Sequence, residues 1–399
     1  MEKFDVIVIG GGPIGCRVGE GLALHNFNVR VIEAKARIGY PNHCSGLVPM
    51  EFLKEASVSK QNVLNYIKGA KVFSYKENFI DFKRETPYAA VIDRVGFDLE
   101  MEGRLKKANA NIFYSSFVSD VKLKQNEATI ALIDGRTFVS KVVVVATGAT
   151  STFQKVFDMK ADRSEDIYTV QVDAELEVED KEIVYIYMNN DIAHNWFAWV
   201  IPTQNNYVRI GFGTDKKGNI LKKLDELFST WSILKNAVRI GKPVVWSIPI
   251  GIAKETVFKN VLFVGDAARQ VKPFSGGGLL TGFVAADLAT EAIENSLKND
   301  SLNPSNFYSA LSTYDKLWRK ELEDEFKKEL FLRSVYRTLT DEDRDIIIKS
   351  IDKKAIDVVL KYGYMDKPSV AGYKLLIAFS KIPLLYLSRK IRNTFSGSA

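Results

Sequence analysis

Three glycines and one acid near the amino end have the types and spacing to hold a dinucleotide. Phe4-Asp-Val-Ile-Val-Ile-Gly-Gly-Gly-Pro-Ile-Gly15 is an apolar strand entering a Gly-x-Gly-x-x-Gly turn, with Gly10, Gly12 and Gly15 in register. A second apolar run, residues 29–33 (Val-Arg-Val-Ile-Glu), ends in an acid eighteen residues after Gly15. Gly10 permits the tight turn, Gly12 lets backbone approach a pyrophosphate, and Gly15 lets the following helix pack close to the strand with its first N–H groups toward the phosphates. Glu33 is placed to accept hydrogen bonds from a ribose diol. Strand, turn, helix and second strand with a terminal acid together form the dinucleotide-binding fingerprint.

Downstream residues narrow the dinucleotide. Asn260-Val-Leu-Phe-Val-Gly-Asp-Ala-Ala-Arg269 precedes Pro273-Phe-Ser-Gly-Gly-Gly-Leu-Leu-Thr-Gly282. Residues 261–264 read as a buried strand, and Asp266 lies at its carboxyl end, where doubly wound sheets place ligand-binding groups. A carboxylate there accepts a hydrogen bond from a ribityl hydroxyl. The glycines at 276–278 open a helical pattern over 279–297, whose positive end suits a ring that holds negative charge, as a reduced flavin does.

These residues resemble FAD enzymes of the glutathione-reductase type, in their hydroxylase-like branch, and more narrowly the geranylgeranyl reductase family of archaea and plants. Pro41-Asn-His-Cys-Ser-Gly-Leu47 is similar to that family's Pro-x-x-Cys-Gly segment, Val91-Ile-Asp-Arg-Val-Gly-Phe-Asp98 to its Asp-Arg-x-x-Phe-Asp segment, and Phe197-Ala-Trp-Val-Ile-Pro202 to its Tyr-x-Trp-x-Phe-Pro segment. The resemblance covers about residues 1–330. It implies FAD held by Gly10, Gly12, Gly15, Glu33, Ala34, Cys44, Ser45, Leu47, Arg94, Val118, Asp266, Gly277, Gly278 and Leu279, with Val118 meeting the adenine through its backbone. It also implies a prenyl substrate lined by Trp196, Phe197, Trp199, Ile201 and Pro202. Cys44 and His43 are the candidate proton donors. For Cys44 a role as donor or water-orienting group stands beside that of a small residue that fits; His43 also reads as a loop residue, and Trp199 as packing. Three positions and one segment depart from the family. Phe197 and Ile201 replace its Tyr and Phe, Thr147 stands where many relatives carry the Asp of an Ala-Asp-Gly element that touches the pyridine nucleotide, and the segment after Cys44 is shorter in glycine. The electron donor, ferredoxin or NAD(P)H, therefore stays open.

The expected architecture is α/β. A Rossmann-like FAD-binding domain (1–50, 91–150 and 256–300) carries an inserted antiparallel-sheet substrate domain (51–90 and 152–255), with a helical C-terminal region over 301–399. The pattern predicts a strand over 112–118, a hairpin turning at Asp134-Gly135, and period-two strands over 170–178 and 207–213. A helix start is expected near Asp341.

Composition excludes several classes. Of 399 residues, 26% are charged and 46% apolar, as in a globular protein of two or three domains. Two cysteines, Cys16 and Cys44, supply neither a disulfide framework nor an iron–sulfur site, and point to a reducing compartment. His25, His43 and His194 lack metal-ligand spacing. No signal peptide is expected, because the apolar run after Lys3 is short and belongs to the fingerprint, and no apolar run approaches the ~20 residues of a spanning helix. The net charge is +6, and no acid follows Asp366, while Lys367, Lys374, Lys381, Arg389, Lys390 and Arg392 do. A basic tail with apolar runs suits either peripheral contact with anionic lipid or a helix packed on its own domain. Nucleic acid is not expected, because aromatics and basic residues do not interleave in a binding motif. The location expected is cytoplasmic, with peripheral contact on the inner face of the membrane. The leading function is reduction of isolated C=C bonds in geranylgeranyl lipids or diphosphates. Its competitors are aromatic or quinone hydroxylation and lipid binding without catalysis. A halogenase and a quinone-linked dehydrogenase fit less well, for want of a Trp-x-Trp-x-Ile-Pro segment and an iron–sulfur domain.

Overall fold

The computed structural model describes residues 1–124, 127–150, 153, 163–299 and 304–378. The chain forms two compact units, each assembled from three stretches: residues 1–42, 94–166 and 248–326 in one, and 43–93, 167–247 and 327–399 in the other. The helical region after residue 300 is thus divided between them at 326/327.

The first unit is built on an eight-stranded sheet. Its main path runs Val257–Phe258, Val261–Phe263, Thr137–Val145, Glu2–Ile9, Val29–Ile32, Asn111–Phe113. The four central pairings are parallel, with Val8 opposite both Val144 and Val31. Strands covered on both faces read as unbroken apolar runs, and Val6, Ile7 and Val8 are fully buried. The hairpin expected at Asp134-Gly135 joins Ala128–Leu132 to Thr137–Val145. The strand expected over 112–118 is instead two short strands, Asn111–Phe113 and Val118–Leu123. Between them Ser115 takes a left-handed φ of 50°. Its amide donates to the Lys35 carbonyl and that of Ser116 to the Glu33 carbonyl, so local bonds replace the ladder.

The second unit holds a seven-stranded sheet in the order Val238–Ile248, Ile167–Glu175, Tyr207–Thr214, Ala198–Pro202, Ile183–Met188, Gly69–Ser74, Phe79–Lys83. It is not wholly antiparallel as expected. Ile183–Met188 and Gly69–Ser74 run parallel, because they come from different insertions and no hairpin joins them. One face carries Val170, Val172, Val200, Val208, Ile210 and Phe212, packed against Leu224 and Leu227 of the helix Ile220–Thr230 and against Trp231. Burying each of these aliphatic side chains contributes ~1.5–3 kcal/mol. The opposite face carries Gln171, Arg209, Trp199 and Ile201. A smaller sheet pairs Leu47–Pro49 and Val63–Ile67 on either side of Ala89–Ile92. The helix start expected near Asp341 is a capping box, with Thr340 and Asp343 satisfying each other's backbone N–H.

Candidate functional site

The strand order of the first unit reverses direction at Glu2–Ile9, which has Val29–Ile32 on one side and Thr137–Val145 on the other. Doubly wound sheets bind ligands at the carboxyl ends of such strands. Gly10 lies there with φ of 107°, and a Cβ on it would overlap the Ala146 carbonyl. One turn on, a Cβ on Gly15 would overlap the Gly10 carbonyl, whereas one on Gly12 would meet nothing within 4 Å. Close approach is therefore required at the outer two glycines, and open space is kept over the middle one. The helix Pro13–Leu24 begins with extended Gly12, has Pro at its first position and carries no side-chain cap. Its first N–H groups lack the partners that a capping side chain gives.

Glu33, at the end of the second strand, accepts from the Gly11 amide (2.7 Å) and the Lys35 amide (2.9 Å); Ala34 beside it is exposed. Val118 is buried in the same cluster as Ile9 and Ile32, the residues that lead into Gly10 and Glu33. Asp266 lies in the turn Gly265–Ala268 that follows strand Val261–Phe263. Gly278 passes so close that a Cβ on it would sit 2.8 Å from the Asp266 carboxylate. Gly277 accepts from the Lys272 amide (3.0 Å), and Leu279 starts the helix Leu279–Asn299. Ile14 of the fingerprint helix fills the space that side chains at Gly265 and Gly282 would need. Both glycine segments therefore meet at one place. Burial pushes the Asp266 carboxyl up to about 6, and Arg94 partly offsets it. Arg94 is itself buried and paired with Asp98 at 3.0 Å. Thr147 Oγ1 and Ser275 Oγ are buried without a protein partner. An open cradle, an uncapped helix start and buried hydroxyls left unsatisfied suit a nucleotide with many acceptors and a polyol chain.

In the second unit the segment after Asn42 lies on the sheet face opposite the hydrophobic core. Gln171 donates to the Cys44 carbonyl (3.2 Å), and Arg209 donates to the carbonyls of Ser45 (2.5 Å) and Ile92 (3.2 Å). Gly46 has φ of 73°; its amide points at Cys44 Sγ (3.4 Å), and its carbonyl accepts from Ile92 (2.9 Å). Leu47 begins the strand paired to Val91, and its amide donates to Ser45 Oγ. His43 stacks on Trp246, with ring centroids 3.9 Å apart.

The aromatic residues come together. Trp196 stacks on Phe197 (5.1 Å), and Phe197 meets Trp199 edge-on (6.2 Å). Trp196 covers Gly213 and Trp199 covers Gly211, since a Cβ on either glycine would strike the indole. Arg333 lies 4.7 Å over the Trp196 ring, and Tyr336 Oη donates to the Trp196 carbonyl (2.7 Å). Ile201 shares the face of Trp199. Pro202 does not, because side chains alternate along a strand and its partner Val208 belongs to the core face.

Sequence reasoning missed Gln171, Arg209 and a His194–Asp215 pair. The ring Nδ1 of His194 lies 2.6 Å from the Asp215 carboxylate, which also accepts from Asn195 (2.8 Å). Burial pushes the Asp215 carboxyl up, but the bonds from His194 and Asn195 outweigh it and hold it below its ordinary value. For Gln171 and Arg209 the available signal was a polar residue inside a strand whose neighbours all read as core. Among the described residues no group of His, Cys, Asp and Glu could hold a metal ion.

This fold and glycine-rich site define a dinucleotide-binding flavoprotein. The family model described as lycopene cyclase protein matches residues 5–208. An uncharacterised protein of Methanocaldococcus jannaschii is 32% identical over 94% of this chain and 95% of its own. Digeranylgeranylglycerophospholipid reductase 1 of Methanococcoides burtonii is 25% identical over 99% of this chain and 98% of its own. Among solved structures, a geranylgeranyl bacteriochlorophyll reductase-like protein from Thermoplasma acidophilum superposes with a TM-score of 0.80 at 22% identity, covering 95% of this chain and 99% of that one. The chain belongs to the family that this model describes and stands with the geranylgeranyl reductases, which are FAD-dependent oxidoreductases.

Proposed function

We propose that the protein saturates isolated C=C bonds of geranylgeranyl chains, in archaeal-type membrane lipids or prenyl diphosphates. The observation that carries this reading is the continuous run of rings, Trp196, Phe197 and Trp199, on the sheet face that also holds the Cys44 segment. A long apolar prenyl chain would find there an apolar wall with one thiol beside it. Bound FAD in its reduced form supplies a hydride that, with one proton, saturates the bond, and an external donor, ferredoxin or NAD(P)H, returns it to the reduced state. An isolated prenyl double bond lacks a carbonyl to polarise it, so the protein must present a proton as well. Cys44 serves as that donor or orients the water that donates, and the stacked His43 ring is the second candidate. The residues that hold FAD are those of the fingerprint, the Asp266 turn and the glycine-rich helix start, with Arg94 and Val118 flanking them.

The test is an anaerobic assay of dithionite-reduced protein against a panel of prenyl lipids, read by mass spectrometry. Two hydrogens should be gained per double bond, with reoxidation of the flavin that requires the lipid. Product that forms only with oxygen, carrying an oxygen atom, would instead make the protein a hydroxylase. No turnover with any lipid would reduce it to a binder.

Asp266 makes FAD retention pH-dependent. Without FAD, burial pushes its carboxyl up to about 6, above its unfolded value, so the proton stabilises the fold and that contribution is lost as pH rises through about 6. A ribityl hydroxyl donating to the carboxylate favours the charged form. FAD affinity should therefore fall as pH drops below about 6. Asp266→Asn should flatten this profile and weaken binding at pH 7.5 by up to about tenfold, the worth of one ordinary hydrogen bond. Fluorescence titration with FAD across pH checks both statements.

Contact with a membrane surface is part of the same proposal. Among the described residues no helix is long and apolar enough to cross a membrane. Much of the basic tail, including Lys381, Arg389, Lys390, Arg392 and the run 382–387, lies outside the described residues. The helix Pro368–Ala378 is packed: Gly372 abuts Leu332, and Tyr373 stacks on Phe331. A truncation should therefore remove only residues 379–399. Binding to anionic vesicles should fall with salt and fall again on that truncation, since each basic residue near the surface contributes about 1 kcal/mol. Cosedimentation that ignores both changes would assign the tail to its own domain.

A further inference from the structure

Gln171 sits in the strand Ile167–Glu175 between Val170 and Val172, which belong to the core, and is itself buried. Its amide makes two bonds in opposite directions. Oε1 accepts from the Trp199 indole at 3.4 Å, and Nε2 donates to the Cys44 carbonyl at 3.2 Å. The orientation of the amide follows from chemistry alone, because an indole N–H only donates and a carbonyl only accepts. Trp199 lies two strands away. In the register Gln171 faces Gly211, and Gly211 faces Trp199. A Cβ on Gly211 would stand 2.6 Å from the Trp199 ring. The missing side chain at Gly211 is what lets the indole lie across the middle strand and reach Gln171.

Resting on the reading of Cys44 given above, we propose that Gln171 is the positioning residue for Cys44: it ties the backbone of the thiol to the indole that walls the substrate. Arg209 fixes the same segment from the next residue by holding Ser45 to Ile92, so the fold of the segment survives without Gln171, and what Gln171 adds is the placing of Cys44 relative to the ring. A substrate chain pressing on Trp199 is thereby felt at Cys44.

The experiment is a double-mutant cycle on the holoenzyme with Gln171→Met, Cys44→Ser and the pair. It reads kcat and KM for prenyl reduction, and separately the rate at which iodoacetamide alkylates Cys44, followed by peptide mass spectrometry with buried Cys16 as internal control. Gln171→Met keeps the length of the side chain and removes both bonds. It should lower kcat about tenfold with little change in KM, shift the Cys44 alkylation rate several-fold, and add nothing to the loss already caused by Cys44→Ser. Equal losses in both backgrounds, or an unchanged alkylation rate, would overturn the proposal. If Cys44→Ser alone turns over at the wild-type rate, the role of Cys44 as proton aid falls, while a changed alkylation rate in Gln171→Met still upholds the tether. Should Gln171→Met fail to fold, Trp199→Phe removes the indole N–H, and with it the five-membered ring, while keeping an aromatic ring on that face. It should shift alkylation in the same direction by less, and no shift would sink the tether.

Discussion

Cys44→Ser is expected to slow prenyl reduction by ~10²–10⁴-fold, the usual loss when one proton-transfer aid is removed. A serine hydroxyl is nearly the size of the thiol but a far weaker acid, and the segment around it is held by backbone carbonyls that the change does not touch. The FAD spectrum and melting temperature should stay within error of wild type. The effect should appear in single-turnover oxidation of the reduced protein by prenyl lipid, with substrate binding little changed. Wild-type rates would assign Cys44 to packing and move attention to His43.

Gly15→Ala should abolish FAD binding. Its new methyl would stand 1.9 Å from the Gly10 carbonyl oxygen, so either the helix Pro13–Leu24 lifts from the sheet or the turn opens. Both movements withdraw the helix N-terminus from the phosphates. Forcing a group into a packed site costs ~1–3 kcal/mol of stability on its own, and the loss of several N–H contacts to a pyrophosphate comes on top. Purified protein should be colourless, melt lower, and fail to take up added FAD. A yellow protein with wild-type melting would show that the pyrophosphate does not lie over this turn. Gly12→Ala is the control for fold, because its methyl meets nothing within 4 Å in the protein. That variant should fold normally and still lose FAD.

What could be read in the sequence is what is local. The strand, glycine turn and helix over 2–24, the turn at Gly265-Asp266 and the hairpin at Asp134-Gly135 are each specified by neighbours a few residues away, and each of these local elements is present. Period-two patterning also located the strands Ile167–Glu175 and Tyr207–Thr214. Residues whose role depends on remote partners stayed hidden. Gln171 reaches Cys44 across 127 positions and Arg209 reaches Ser45 across 164. On a strand, a polar residue between core residues reads as solvent-facing, and only the folded segment above it turns that face into an interior. The strand expected over 112–118 failed for a similar reason. Its apolar residues fit a ladder, but the amides of Ser115 and Ser116 had partners in Lys35 and Glu33 that no pattern within the segment reveals.

The strand order of the first unit also sets the timetable on which the protein can be made. Glu2–Ile9 pairs with Thr137–Val145, and that strand pairs with Val261–Phe263. The first strand to leave the ribosome must therefore wait for more than 130 residues before its second neighbour exists, and the sheet gains Asp266 only when two thirds of the chain has emerged. At ~5–20 residues per second, that wait lasts on the order of ten seconds or more. During it, a strand that ends in four apolar residues, 6–9, has an open edge of the kind that invites pairing with other chains. Fragments ending before residue 260 should accumulate as aggregates however complete their glycine fingerprint. Cofactor supplied during synthesis can help only at the end, once the Asp266 turn, proposed above to receive the ribityl chain, has been made.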